Sequence, residues 1–147
     1  MKKILTILII ALVSISPIFA QNNSTKKADK LFDRLEFVKA AEEYLKLADK
    51  SPDNYIIGKL ADSYYNIFNT REAEKWYSKI INDDPNAEVV FRYSEMLKAN
   101  GKYKESNVWM SKFSEIKPYD TRAIAFRNTP NYIDKIIKKG KRFNVQN

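Results

Sequence analysis

The chain contains no cysteine and no histidine, and only three glycines and five prolines. Without cysteine there is no disulfide framework, no thiol nucleophile and no N-terminal cysteine to carry a lipid. Losing histidine as well removes the usual zinc and haem ligand sets and the imidazole general base. Three glycines leave no glycine-rich loop to cradle a phosphate. Paired carboxylates such as Asp83-Asp84 are neighbours in a turn, not groups opposed across a pocket. No enzymatic activity, cofactor or metal is therefore expected. Long alternating apolar–polar runs are also missing, so nothing predicts a strand.

The N-terminus reads as an export signal. Lys2 and Lys3 form a basic start, residues 4–15 an apolar core, and Ile18-Phe19-Ala20 a small-residue cleavage site before Gln21. The apolar run is shorter than the roughly 20 residues that span a bilayer. Cleavage after Ala20 is the expectation, with no transmembrane helix afterwards and a Gram-negative periplasmic destination. Losing Lys2 and Lys3 lowers the formal charge from +8 to +6. Residues 21–25 read as a disordered leader, 26–140 as one helical domain, and 141–147 as a tail or the start of a linker.

From residue 26 onward apolar residues recur at helical spacing, beginning with Leu31, Leu35, Phe37, Ala40, Ala41, Tyr44, Leu45, Leu47 and Ala48, with charged residues opposite. Turn signals divide the chain. Ser51-Pro52, Asp84-Pro85 and Thr129-Pro130 each place a capping side chain before a proline at the first helical position. Lys117 before Pro118 is a poorer cap, Thr70 is a further N-cap, and Asn100-Gly101 closes a helix. Helices are predicted at about 26–35, 38–50, 53–67, 71–82, 86–99, 102–115, 119–127 and 131–139 by this spacing and punctuation.

Much of this text is repeated. Pro52, Pro85 and Pro118 lie 33 residues apart, and so do Ala40, Ala73 and Ser106, then Leu31, Tyr64 and Leu97, then Tyr44, Tyr77 and Met110. Trp76 and Trp109 keep the same interval. A fixed period in this range signals an array of helical hairpins. The fold class expected is all-α, with about three repeats followed by a C-terminal capping helix pair.

Within each unit a small residue and an aromatic on the first helix, then alanine or serine and a large residue on the second, then proline, resemble the tetratricopeptide repeat over roughly 26–118. The period is 33 rather than 34, Ile57 and Val90 stand at the family's tryptophan position, and Leu47, Ile80 and Phe113 replace its second alanine. The resemblance implies a right-handed superhelix. A wider resemblance rests on the leader ending Ala-Gln together with residues 28–33, 60–66 and 96–103. It is to the N-terminal segment of OmpA-type envelope proteins, some of them associated with type IX secretion. It implies a periplasmic protein–protein scaffold at the outer membrane; the alternative is a spacer that positions a following propeller and peptidoglycan-binding domain and has no ligand of its own. No residue here matches the peptidoglycan-binding motif.

Tetratricopeptide arrays bind on the face lined by the first helix of each hairpin. Carried over, that face holds Asp29, Phe32 and Asp33; Tyr55, Lys59, Asp62, Tyr65 and Asn66; and Phe91, Arg92, Glu95 and Lys98. Asp29, Asp62 and Glu95 occupy one register position and imply an acidic row, which disfavours a carboxylate ligand. A basic or aromatic-rich protein or peptide fits better, although pairing with Lys59, Arg92 and Lys98 as a solvated face is the plain alternative. Lys135, Lys138, Lys139, Lys141 and Arg142 form a basic run. Ile133, Ile136 and Ile137 give that run an apolar side, so it reads as a terminal cap rather than a nucleic-acid contact.

Overall fold

Three residues 33 apart, Leu35, Phe68 and Gly101, have left-handed backbones, with φ of 60°, 57° and 80°. They mark where first helices end, and the sequence period is here visible in the chain path. In the computed structural model, which describes residues 16–83 and 85–129, there are seven helices and no strand among the described residues. They are α1 (Ser16–Asp33), α2 (Phe37–Lys50), α3 (Asn54–Asn66), α4 (Thr70–Ile80), α5 (Ala87–Ala99), α6 (Tyr103–Ile116) and α7 (Thr121–Asn128). The expected helix at 131–139 and most of the export signal lie outside the described residues.

The chain divides into two compact units between Ile67 and Phe68. In the first, α1 packs on α2 and α2 on α3; in the second, α4 packs on α5, α5 on α6 and α6 on α7. Each link is a helical hairpin step, as short connections between amphipathic helices require. Ala40 and Ala73 are fully buried and Ser106 nearly so, at the small positions of the period. Tyr44, Leu60 and Ala61 fill the first core; Tyr77, Leu97, Phe113 and Ala123 fill the second. No helix among the described residues is long and apolar enough to cross a membrane.

Two expectations are corrected. Helix α1 starts at Ser16 and runs through 21–25, where a leader was expected. Thr25 and Ala28 are both buried, and packing of that face outweighs the weak helix propensity of the polar stretch. Pro52 and Pro85 also sit two residues before the first helical residue rather than at it. Asp53 and Asn86 follow Pro52 and Pro85 and accept the Ile56 and Val89 amides at 2.8 and 3.0 Å. Asp120 does this for α7, accepting the Arg122 amide at 2.9 Å. A carboxylate or amide reaches these unpartnered amides better than Ser51, which the proline holds back from the helix start. In the same way Asn69, not Thr70, caps α4 and accepts from the Glu72 amide. Asn100 closes α5 as expected.

The Gly101 turn is a Schellman closure, with the Lys102 amide on the Leu97 carbonyl at 2.8 Å and the Gly101 amide on the Lys98 carbonyl at 3.1 Å. The Leu35 turn copies it, with Glu36 on Leu31 and Leu35 on Phe32, both at 2.9 Å. A side chain in this conformation strains against its own carbonyl, and glycine does not. Leu35 and Phe68 are 71% and 72% exposed, so little packing compensates. Leu35→Gly and Phe68→Gly are each expected to raise stability by about 0.5–1 kcal/mol, and Gly101→Ala to lower it by about 1 kcal/mol. Urea midpoints check the signs; a loss in both glycine variants would show that the side chains, not the backbone, dominate these turns.

Candidate functional site

In the first unit the predicted face is largely tied to itself. The Asp29 carboxylate accepts the Tyr44 hydroxyl at 2.5 Å and the Tyr55 hydroxyl at 2.8 Å, drawing α1, α2 and α3 together. Burial alone would raise the Asp29 pKa. The hydroxyls of Tyr44, Tyr55 and Thr25 and the Lys59 charge outweigh it, and the carboxyl sits below its ordinary 3.8. For the same reasons, burial first and Asp29 second, Tyr44 lies far above an ordinary phenol and Tyr55 is pushed up to about 12. Lys59 stands over the Phe32 ring, 4.0 Å from its centroid, while that ring meets Phe37 edge-on at 5.2 Å and Tyr44 at 6.4 Å. Asp29, Phe32, Tyr55 and Lys59 are thus brought together. Asp33 is exposed, Tyr65 and Asp62 are half-buried, and the Asn66 amide donates to the Asp62 carbonyl at 2.7 Å.

The second unit holds an open cleft of about 300 Å³ between α5, α6 and α7. Phe91, Glu95 and Lys98, three of the residues expected on the groove face, line it from α5. Met110 and Ser106 line it from α6, and Arg122, Ala125 and Phe126 from α7, together with its C-cap residue Thr129. Ser106 lies at the small position of the period and donates to the Ser94 carbonyl at 2.8 Å; Ser94 in turn donates to the Phe91 carbonyl at 2.6 Å. These bonds let two serines stand where helices cross.

One wall of the cleft is set by Arg122, which sequence reasoning passed over. Its guanidinium lies 4.1 Å from the Phe91 ring centroid and 4.9 Å from that of Phe113. It donates to Glu88 at 3.0 Å and to Asp120 at 2.9 Å. The Arg122 bonds hold the Asp120 carboxyl down to about 2, and Asp120 and Glu88 push the guanidinium above its ordinary value. Arg122 is thus neutralised by its own chain and works as a planar prop for the rings. It lies beyond 118, where the repeat resemblance stops. The signal that marks it is Asp120-x-Arg122 at the start of an otherwise weakly amphipathic α7. Arg92 bonds Glu88 at 3.2 Å.

Glu95 differs from its counterparts. It is half-buried in the cleft and has no ion pair or hydrogen bond to a side chain among the described residues. The repeat register explains this. Moving 66 residues on from Asp29, Tyr44 and Tyr55 leads to Glu95, Met110 and Thr121. Both phenols that satisfy Asp29 are replaced at Glu95, one of them by a thioether that donates nothing. No family model matches this chain, and no curated protein matches it at a significant level.

Proposed function

We propose that this chain is an exported protein-contact scaffold of the tetratricopeptide type, coiled as a right-handed superhelix. It works in the periplasm at the outer membrane, as the repeat part of an OmpA-type envelope protein akin to those of type IX secretion. The observation that carries the reading is the coincidence of sequence and backbone period: Leu35, Phe68 and Gly101 turn left-handed at one spacing, while Ala40, Ala73 and Ser106 are buried at the same spacing. Arrays built this way offer extended surfaces to other proteins. The export signal supplies the compartment.

The spacer reading has one observation in its favour. Asp29, Tyr55, Phe32 and Lys59 satisfy one another, which leaves the first unit less to offer a ligand. An Asp62→Lys, Tyr65→Ala double variant separates the two readings, because both residues stand on α3 and belong to the face expected to meet a partner. Cross-linking in the periplasm of expressing cells should retrieve an envelope protein with the wild type and lose it at least tenfold with the variant, at unchanged helix content by circular dichroism. Equal retrieval favours the spacer. N-terminal sequencing should find Gln21 first; a chain that keeps Met1 and stays in the cytoplasm overturns the exported role.

A further inference from the structure

Asn100 is the only asparagine of the chain that is followed by glycine. At the two earlier left-handed turns the same pair of positions holds Arg34-Leu35 and Ile67-Phe68. An asparagine before glycine carries its own chemistry. Its carboxamide carbon can close a five-membered ring with the next backbone nitrogen, and a neighbour without a side chain leaves that nitrogen uncrowded. In the second unit this pair is clamped. The Asn100 carboxamide oxygen accepts the Thr70 hydroxyl at 2.6 Å, and its nitrogen donates to the Thr70 carbonyl at 3.0 Å and to Glu74 at 2.7 Å. Glu74 is held in turn by the Lys102 ammonium at 2.6 Å. Thr70 opens α4 and Glu74 stands one turn on, so it is the docking of α4 on α5 that fixes the carboxamide. The Gly101 amide is engaged as well, donating to the Lys98 carbonyl at 3.1 Å. With Asn100 at ψ 10°, the Gly101 nitrogen nearly eclipses the Asn100 nitrogen about the Cα–C bond and is turned away from Cβ. Ring closure needs it eclipsed with Cβ instead.

We propose that Asn100-Gly101 is a self-acting deamidation site, kept shut by the docked α4 and opened whenever α4 detaches. Released from Thr70 and Glu74, Asn100 turns about its Cα–C bond until the carboxamide meets the Gly101 nitrogen. That nitrogen gives its proton to solvent base and bonds to the carboxamide carbon; the carboxamide nitrogen takes up a proton and leaves as ammonia. Water then opens the resulting succinimide at either carbonyl, leaving aspartate or isoaspartate at position 100. One water is consumed and one ammonia released, with no change of oxidation state. An open polar cleft of about 600 Å³, lined by Thr70, Glu74, Asn100 and Lys102 among others, brings water to the site. The product does not fit the clamp. A carboxylate replaces the donor that faced Glu74, so a hydrogen bond becomes a like-charge contact. Isoaspartate also lengthens the main chain inside the Schellman turn, whose bonds depend on its span. Detachment of α4 is thus written into the chain irreversibly. The inference concerns the second unit alone and stands whether or not the array contacts a partner.

The test holds the full chain folded in mildly alkaline buffer and, in parallel, unfolded in guanidinium chloride. Deamidation at position 100 is followed by peptide mass spectrometry and by enzymatic methylation of isoaspartate. The folded wild type should react at least tenfold more slowly than the unfolded chain, a gap set by how seldom α4 opens. Thr70→Val with Glu74→Ala removes the clamp and should raise the folded rate several-fold, at unchanged helix content. Ser78→Ala, at an exposed position of the same helix, should leave that rate where it was. In guanidinium chloride, where folding plays no part, Gly101→Ala should slow the reaction at least tenfold and so identify the Gly101 nitrogen as the nucleophile. Equal rates for the folded and unfolded wild type overturn the gate, as does an equal rise with Ser78→Ala. Faster loss of ammonia at another asparagine of the unfolded chain overturns the site. Asn100→Asp, which copies one product, should move the urea midpoint of the second unit downward; an unmoved midpoint overturns the consequence for α4.

Discussion

Phe113→Ala is expected to cost the second unit about 3–5 kcal/mol, the range for deleting a fully buried phenylalanine side chain. The Phe113 side chain is 0% exposed and occupies the register position of Leu47 and Ile80 on the earlier second helices. Its ring supports Phe91 at 5.2 Å and lies beneath the Arg122 guanidinium, so its loss opens a cavity under α5 and α7 together. Partial collapse is hindered because Arg122 is held on two sides by Glu88 and Asp120. A domain of this size has roughly 5–15 kcal/mol to lose. Urea unfolding followed by circular dichroism should show the transition of this unit moved to far lower urea or absent. A cost under about 1 kcal/mol would mean that the α5–α6–α7 seam is not a packed core.

Removing Asp29 is the second large effect. Asp29→Ala takes the acceptor from the buried Tyr44 hydroxyl, and an unsatisfied buried donor costs about 1–3 kcal/mol. Tyr55 lies close enough to take up part of the loss, so about 1–2 kcal/mol is expected. The pH dependence is more diagnostic. The folded Asp29 pKa is lowered, so the stability it contributes is complete above the unfolded value near 3.8 and is lost as pH falls through the folded value. The tyrosine pKa values are raised, so their contribution is complete below 10 and is lost as pH climbs, through about 12 for Tyr55. The wild type should therefore lose stability on both an acid limb below about pH 4 and an alkaline limb above about pH 10. In Asp29→Asn the part of the acid limb due to this group should vanish. Tyrosine ionisation followed in the ultraviolet should begin at lower pH for Tyr55 in Asp29→Ala than in the wild type, while Tyr44 stays late because burial still holds it up. Identical titrations would detach Asp29 from Tyr55.

The cap positions show how local signals mislead by a residue or two. Proline at the first helical turn and proline just before the cap look alike in sequence, because the ring's fixed φ suits both places. Only the amide acceptors Asp53, Asn86 and Asp120 settle where each helix begins. The left-handed turns at Leu35 and Phe68 were hidden for a related reason: bulky residues there give no local sign of a conformation that usually calls for glycine. Gly101, in the same register, was the visible copy.

What the sequence determined by itself was the helical class, the period of 33 and the small residues buried at it. These depend on spacing of 3.6 per turn and on recurrence, both written along the chain. What the tertiary structure decided was the fate of chemically similar residues in equivalent places. Asp29 and Glu95 share a register position, yet the first is bonded to two phenols and the second faces a cleft without a partner among the described residues. Arg122, with no place in the repeat, became the prop of that cleft. A carboxylate's role depends on the donors that other helices bring within about 3 Å. Helix packing, not the residue type, decides which donors those are.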